Sequence, residues 1–378
     1  MKRRHAPIAV VFGTRPEAVK LAPVIRELRS RGVKTAVIGT GQHRDLVDPV
    51  LSLFELALDH DLKIMKPDSD LNAVLTLAID RLGTLLADLQ PQAVVVQGDT
   101  TSALGGALAA FNCGIPVAHV EAGLRSHDLA FPFPEEMHRR VISILSRWHF
   151  APTSHAAAEL RSERVPGRVV KTGNTVVDAL RFILASNKQR RLGRVGPEGP
   201  YILATAHRRE SWGQPIRNIA LGLRDVLDAR PGLSVVFATH PNPKAHDPVE
   251  EVLGSDPRAM LVGPMEYDAF LEILRGALLA VTDSGGVQEE GPTLGVPVLV
   301  TRSVTERPEG LTAGAVRMVG TRRSAIRRAI ERLLDDPGER VRMGRVGRRV
   351  YGDGLASRRI VDTLMRDLDS GQKPVGGR

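Results

Sequence analysis

The chain reads as an α/β protein built from two Rossmann-like, doubly wound parallel-sheet domains facing a cleft. Short apolar runs alternate with amphipathic helical stretches along its length, the pattern of βαβ units and hence of parallel strands. The alternation pauses at a Gly/Pro/Arg-rich stretch, residues 190–200, and then begins again. Polar, glycine-bearing clusters follow the apolar runs directly, where an open parallel sheet places its ligand site.

In the first domain, assigned to residues 1–173, the apolar runs at 7–12, 34–39, 93–96, 117–120 and 149–151 are too short for helices and are expected to be strands. Helical periodicity is expected over 17–31, 71–89, 102–111, 135–146 and 156–164, with one more helix after Thr172-Gly173-Asn174. The second domain, assigned to 174–353, has strands expected at 201–205, 234–239, 260–262, 278–281, 296–300 and 316–319. Helices at 216–229, 267–275 and 324–334 fall among and after them, and an arginine-rich helix covers 340–349. A last helix, about 354–370, is expected to pack back on the first domain, and 371–378 to form a frayed tail.

At 378 residues and 42% hydrophobic, the chain can bury two full cores. Its net charge of +9 is spread over arginine-bearing helices without interleaved aromatics, so it is assigned to solvated surface and an anionic substrate, not to a nucleic acid. The single cysteine, Cys113, follows an alanine-rich run and suits a small buried hydrophobe better than a nucleophile. Residues 1–5 are basic but lead straight into a strand, and no stretch approaches 18 uninterrupted apolar residues. Neither a signal peptide nor a membrane span is therefore expected, and the cytoplasm is the expected location.

The stretch from Thr282 to Gly295 joins two apolar runs through a Ser284-Gly285-Gly286 turn and a short polar helix. Glycines let a backbone approach an anion, and the amides opening a helix point the positive end of its dipole at it. Glu289 and Glu290, in the first turns, are placed to hold ribose hydroxyls; the plainer alternative is a tight turn in which Asp283 or Ser284 caps the helix. Further clusters follow other strands: Gly13-Thr14-Arg15-Pro16-Glu17, Gln97-Gly98-Asp99, His119-Val120-Glu121, Pro134-Glu135-Glu136, His207-Arg208 and Thr305-Glu306-Arg307. Singly, Asp99 could be a cap, Glu135 a complement to a helix dipole, and His207 with Arg208 a solvated strand end.

Taken in order, GTRPEAVKLAP, TGQHR, VVVQGDTTS, PVAHVEAGLRS, PFPEE, TGNTVVDAL, TAHRRES, TDSGGVQEE and TERPE resemble the non-hydrolysing UDP-N-acetylglucosamine 2-epimerases over about residues 10–357. The resemblance implies a GT-B architecture with UDP held mainly by the second domain, a homodimer, and reversible conversion of UDP-GlcNAc to UDP-ManNAc. It matches Asp99, Glu121, Glu135 and His207 to catalytic positions, and Arg15, Ser284, Gly285, Gly286, Glu290 and Arg307 to nucleotide-binding ones. Lys20, Arg139, Arg208 and His240 complete the candidate substrate contacts. In some members a second UDP-GlcNAc activates the enzyme through two glutamines flanking a His-Arg pair and an arginine in the segment before the long helix at 71–89. This chain keeps Gln42 and His43 but has Asp45 and Asp68 at the other positions, the wrong charge beside a diphosphate. That activating site is expected to be weak or lost. Ser303-Val304 also departs from the Asp-Thr expected before Thr305.

The chemistry can be argued apart from the resemblance. Carbon 2 of the sugar has no carbonyl neighbour, so its proton becomes acidic only after the anomeric bond to the diphosphate breaks. Elimination to 2-acetamidoglucal and re-addition of UDP needs acid/base groups near both ring faces and a cationic cradle for the departing charge. Asp99, Glu121, Glu135 and His207 meet the first need, any of the carboxylates being the base, and Arg15, Arg208, Arg307 and the Ser284 loop meet the second. No metal-ligand cluster and no GxGxxG motif is present, so neither metal nor cofactor is expected. A GT-B glycosyltransferase, a hydrolysing 2-epimerase and a nucleotide-sugar sensor are the competing readings.

Overall fold

The computed structural model describes residues 6–41, 44–65, 70–186, 196–208 and 211–370. They form two compact units, Met1–Ala185 with Gly352–Arg378, and Ser186–Tyr351.

Unit 1 contains β1 (Ile8–Phe12), α1 (Arg15–Ser30), β2 (Thr35–Gly39), α2 (Arg44–Leu53), β3 (His60–Asp61), α3 (Leu71–Leu89), β4 (Ala93–Gln97) and α4 (Thr101–Asn112). β5 (Val117–Val120), α5 (Glu135–Leu145), β6 (Ser146–Ala151), α6 (Ser154–Ser162), β7 (Arg168–Lys171) and α7 (Thr175–Ala185) follow. The strands form a parallel sheet of order β3-β2-β1-β4-β5-β6-β7, with Ile8 in register with Thr35 on one side and Ala93 on the other. β1 is buried at every position, as a strand covered by helices on both faces must be. Asp70 caps α3 by accepting from the Ala73 amide at 2.8 Å. α4 is rich in Gly and Ala because it packs closely on α3 and on the sheet. A Cβ added at Gly105 would lie 2.7 Å from that of Ala78, and one at Gly106 would lie 3.0 Å from Val96.

Unit 2 contains β8 (Tyr201–Thr205), α8 (Gln214–Ala229), β9 (Ser234–Ala238), α9 (Pro243–Leu253), β10 (Ala259–Val262), α10 (Tyr267–Gly276) and β11 (Ala280–Thr282). α11 (Val287–Leu294), β12 (Val298–Val300), α12 (Pro308–Thr312), β13 (Val316–Met318), α13 (Arg323–Asp335) and α14 (Pro337–Val350) complete it. Its parallel sheet has the order β10-β9-β8-β11-β12-β13. In each sheet the winding reverses at one place, between β1 and β4 and between β8 and β11. Such switch points open a crevice at the carboxyl ends of the strands.

The domain boundary differs from the one expected at 173/174. α7 belongs to unit 1, where it buries Val176, Val177, Leu180 and Ile183 and packs with α1. Asp178 on α7 accepts from the Ala356 amide at 3.2 Å and from the Ser357 amide and hydroxyl at 2.8 and 2.6 Å. It thereby caps α15 (Ala356–Asp369), which packs against α1 and α7. An amphipathic helix stays with the core that covers its apolar face, so the crossover falls after Ala185 and the return at Gly352. The expected connection at 190–200 lies mostly outside the described residues, as does the tail 371–378. No described helix is long and apolar enough to cross a membrane.

Candidate active site

The unit 1 groups stand at the carboxyl ends of β1, β4 and β5, on both sides of the switch point. Thr14 caps α1, and Glu17, 1% exposed, turns back to accept from the Gly13 and Thr14 amides at 3.0 and 2.8 Å. Its other oxygen accepts from Thr100 Oγ1 at 2.6 Å, which ties the loop after β1 to the loop after β4. Burial pushes the Glu17 carboxyl pKa up, against the lowering effect of these hydrogen bonds. Arg15, the first residue of α1, is half-buried.

Glu121 follows β5 at φ +64°, a left-handed conformation that costs a non-glycine residue about 1 kcal/mol. There it meets Lys20 Nζ at 2.5 Å and accepts from the Gln97 amide. Both members of the ion pair are buried, and they lie 101 residues apart in sequence. Asp99 pairs with Arg139, which also lies 3.4 Å from Glu136. The carbonyls flanking Asp99 are fixed by histidines: His119 Nε2 donates to Gly98 O and His138 Nδ1 to Asp99 O, each at 2.8 Å.

Glu135 opens α5 and is half-buried, whereas its neighbour Glu136 is fully buried. Glu136 accepts from the Ser126 and His127 amides at 3.0 and 3.3 Å and from Arg140 Nε at 3.0 Å, anchoring the loop that leads into the helix.

Burial pushes the His119 pKa down to about 3 from an ordinary 6.5; the Gly98 carbonyl and Asp99 oppose the shift, while His149 and Arg125 add to it. A base depressed in the folded state contributes stability that is fully present above 6.5 and is lost as pH falls toward the folded value. His119 alone is expected to cost about 2 kcal/mol between pH 6.5 and 5. Urea unfolding at several pH values should show this loss in the parent and a shallower pH slope in His119→Asn. Equal slopes would contradict it. His149, donating to Pro166 O at 2.7 Å and shifted down by burial, leaves the variant some residual slope.

In unit 2 the loops after β8, β9, β11 and β12 converge at the second switch point. Asp283, fully buried, accepts from the His207 amide at 3.0 and 3.2 Å and from the Arg208 amide at 3.0 Å, and its Oδ1 lies 3.4 Å from His207 Nδ1. It thus clamps the loop after β8 and does not cap α11, whose N-cap is Gly286 without a side-chain cap bond. The His207 ring stacks on His240, with centroids 6.5 Å apart. His240 Nδ1 accepts from the Asn242 amide, which leaves the proton of the neutral ring on Nε2.

The Ser284-Gly285-Gly286 loop has Arg307 on one side and Glu290 on another. A Cβ at Gly285 would lie 2.9 Å from Arg307 Nη1, and one at Gly286 would lie 3.7 Å from the Glu290 oxygens. Glu290 accepts from Tyr267 OH at 2.8 Å, while Glu289, expected beside it as a ribose ligand, is buried and accepts from Arg307 Nε at 2.6 Å. Glu306 is 4% exposed among three guanidiniums: Arg307 Nη1 donates to it, Arg302 Nη1 lies 3.1 Å away and Arg208 Nη2 3.7 Å.

Within unit 1 the structure brings Lys20 to Glu121 and Arg139 to Asp99, and within unit 2 it brings His207 to His240 and Arg307 to the Ser284 loop. Gln42, His43 and Asp68 lie outside the described residues, as does the side chain of Asp45. The residue-by-residue reading did not single out Glu17, Gln97, His119, His138, Glu136 or Glu306 for a role. The Glu136-Arg139-Arg140 spacing, one helical face, and the Thr14-x-x-Glu17 capping box are the signals in the sequence that point to such a network.

The family model described as UDP-N-acetylglucosamine 2-epimerase matches residues 26–365. The UDP-N-acetylglucosamine 2-epimerase of Neisseria meningitidis is 43% identical over 95% of this chain and 99% of its own length, and that of Escherichia coli K12 is 42% identical over 94% and 98%. Among solved structures, the Neisseria meningitidis UDP-GlcNAc 2-epimerase bound to UDP-GlcNAc superposes with a TM-score of 0.90 at 42% identity, covering 95% of this chain and all of that one. A Methanocaldococcus jannaschii UDP-GlcNAc 2-epimerase in complex with UDP-GlcNAc and UDP gives 0.82 at 31%, covering 95% and 99%. A glycosyltransferase structure, that of kitacinnamycin, shares the fold alone, at 16% identity and a TM-score of 0.64. The two Rossmann-like sheets, the motif order and these full-length matches show that the chain is an isomerase of GT-B type and belongs to the UDP-N-acetylglucosamine 2-epimerase family.

Proposed function

We propose that this enzyme interconverts UDP-GlcNAc and UDP-ManNAc by eliminating UDP to 2-acetamidoglucal and adding it back, without releasing free sugar. The observation that supports this proposal is the placing of Asp99 and Glu121 directly after the neighbouring strands β4 and β5 of unit 1, with Glu135 in the first turn of α5 as the third candidate carboxylate. Removing a carbon 2 proton from one face and delivering one to the other takes at least two such groups, each held in a fixed place.

Lys20 and Gln97 hold Glu121, and Arg139 holds Asp99, so both carboxylates are positioned before any substrate arrives. Unit 2 supplies what the leaving group needs. Arg208, Arg307 and the Ser284-Gly285-Gly286 amides receive the charge that develops on the diphosphate, and Glu290, steadied by Tyr267, takes the ribose hydroxyls. His207, fixed through its backbone and Nδ1 by Asp283, serves the departing or returning phosphate oxygen.

Incubation with UDP-GlcNAc alone, followed by proton NMR of the anomeric region, tests this. Growth of UDP-ManNAc to a constant ratio is expected. Accumulation of free N-acetylmannosamine with UDP would establish hydrolysis instead, and no conversion without an acceptor sugar would establish transfer.

A further inference from the structure

We propose that Glu306 is the positioning residue of the unit 2 anion cradle, its carboxylate gathering Arg208, Arg302 and Arg307 into a fixed array beside the Ser284-Gly285-Gly286 loop. Arg208 comes from the loop after β8, whereas Arg302, Glu306 and Arg307 come from the loop after β12; the sheet places β11 and its phosphate loop between them. One carboxylate therefore ties together both walls around that loop.

Burial works to raise the Glu306 pKa, but Arg307, Arg208 and Arg302 outweigh it and hold the carboxyl below the usual range, so it stays ionised. Arg307 is gripped at Nη1 by Glu306 and at Nε by Glu289, 2.6 Å away. Its guanidinium lies so close to Gly285 that a Cβ there would come within 3.1 Å of Cζ, room that only glycine leaves. Within this array three guanidiniums meet two carboxylates, Glu306 and Glu289. Without the central carboxylate, three like charges in a buried place would repel, and long side chains would lose their common geometry. A diphosphate would then have to order them itself, which weakens binding.

If, as proposed above, this loop holds the UDP diphosphate, Glu306→Gln should weaken UDP binding roughly tenfold or more by calorimetry. Uridine, which lacks phosphates, should bind the variant as it binds the parent. A merely structural role would weaken both ligands alike, and a carboxylate that only competes with phosphate would give tighter UDP binding on removal; either result, or unchanged UDP affinity, overturns the proposal. Should Glu306→Gln fail to fold, Arg302→Gln takes its place. It removes one member of the array and should again weaken UDP but not uridine, while unchanged UDP affinity overturns the proposal. A parent enzyme that does not bind UDP would instead sink the assignment of the loop to the nucleotide.

Discussion

Glu121→Gln is expected to cut turnover about 10²–10⁴-fold, the usual contribution of a general acid or base, and also to lower stability by about 3 kcal/mol. The sequence gives no reason for the second effect, because the substitution is nearly isosteric. The structure does: the Glu121 carboxylate lies 2.5 Å from Lys20 Nζ, with both side chains at most 7% exposed. Replacing it by an amide removes the carboxylate 2.5 Å from a buried ammonium, and breaking a buried ion pair by removing one partner is costly. Lys20→Met combined with Glu121→Gln should recover much of the lost stability and none of the turnover. Chemical denaturation and NMR rate measurements on the same preparations separate the two effects. A single variant as stable as the parent would contradict the account of the ion pair.

Asp99→Asn is expected to behave differently: turnover falls by the same about 10²–10⁴-fold while stability changes by less than about 1 kcal/mol. The Asp99 side chain is 27% exposed, and Arg139, its partner, retains Glu136 at 3.4 Å. The backbone of the loop stays anchored because His119 and His138 bind the Gly98 and Asp99 carbonyls, not the carboxylate. A large fall in melting temperature with unchanged activity per folded molecule would make Asp99 a structural residue.

These contrasts show what a linear reading can and cannot supply. Apolar runs such as Val117–Val120 and Tyr201–Thr205 are bounded by polar clusters, so the strands and the loops at their carboxyl ends are legible directly. β7, Arg168–Lys171, has only two apolar residues and is half-exposed at the sheet edge, and α9 carries Pro243 at its start and Pro248 inside. Both therefore lack the signals that identify an element. For α7, periodicity reveals an apolar face but not the core that covers it, so the sequence alone does not tell which unit the helix joins.

The site follows the same division. Motifs locate Asp99, Glu121 and Glu135, but pairings such as Lys20 with Glu121 depend on how strands order in the sheet. Adjacent acids are the hardest case: Glu135 and Glu136, like Glu289 and Glu290, differ by one step of helical phase, which decides which one reaches inward to an arginine. Asp283 looks like a helix cap in sequence because nothing local reveals that the His207 and Arg208 amides lie against it.

The central claim is that the carbon 2 proton leaves the sugar while UDP is detached, and turnover in deuterated water tests it most directly. Starting from protiated UDP-GlcNAc and following the reaction to equilibrium by proton NMR and mass spectrometry, both epimers should carry deuterium at carbon 2. An epimerised product that retains protium at carbon 2 would contradict elimination and re-addition.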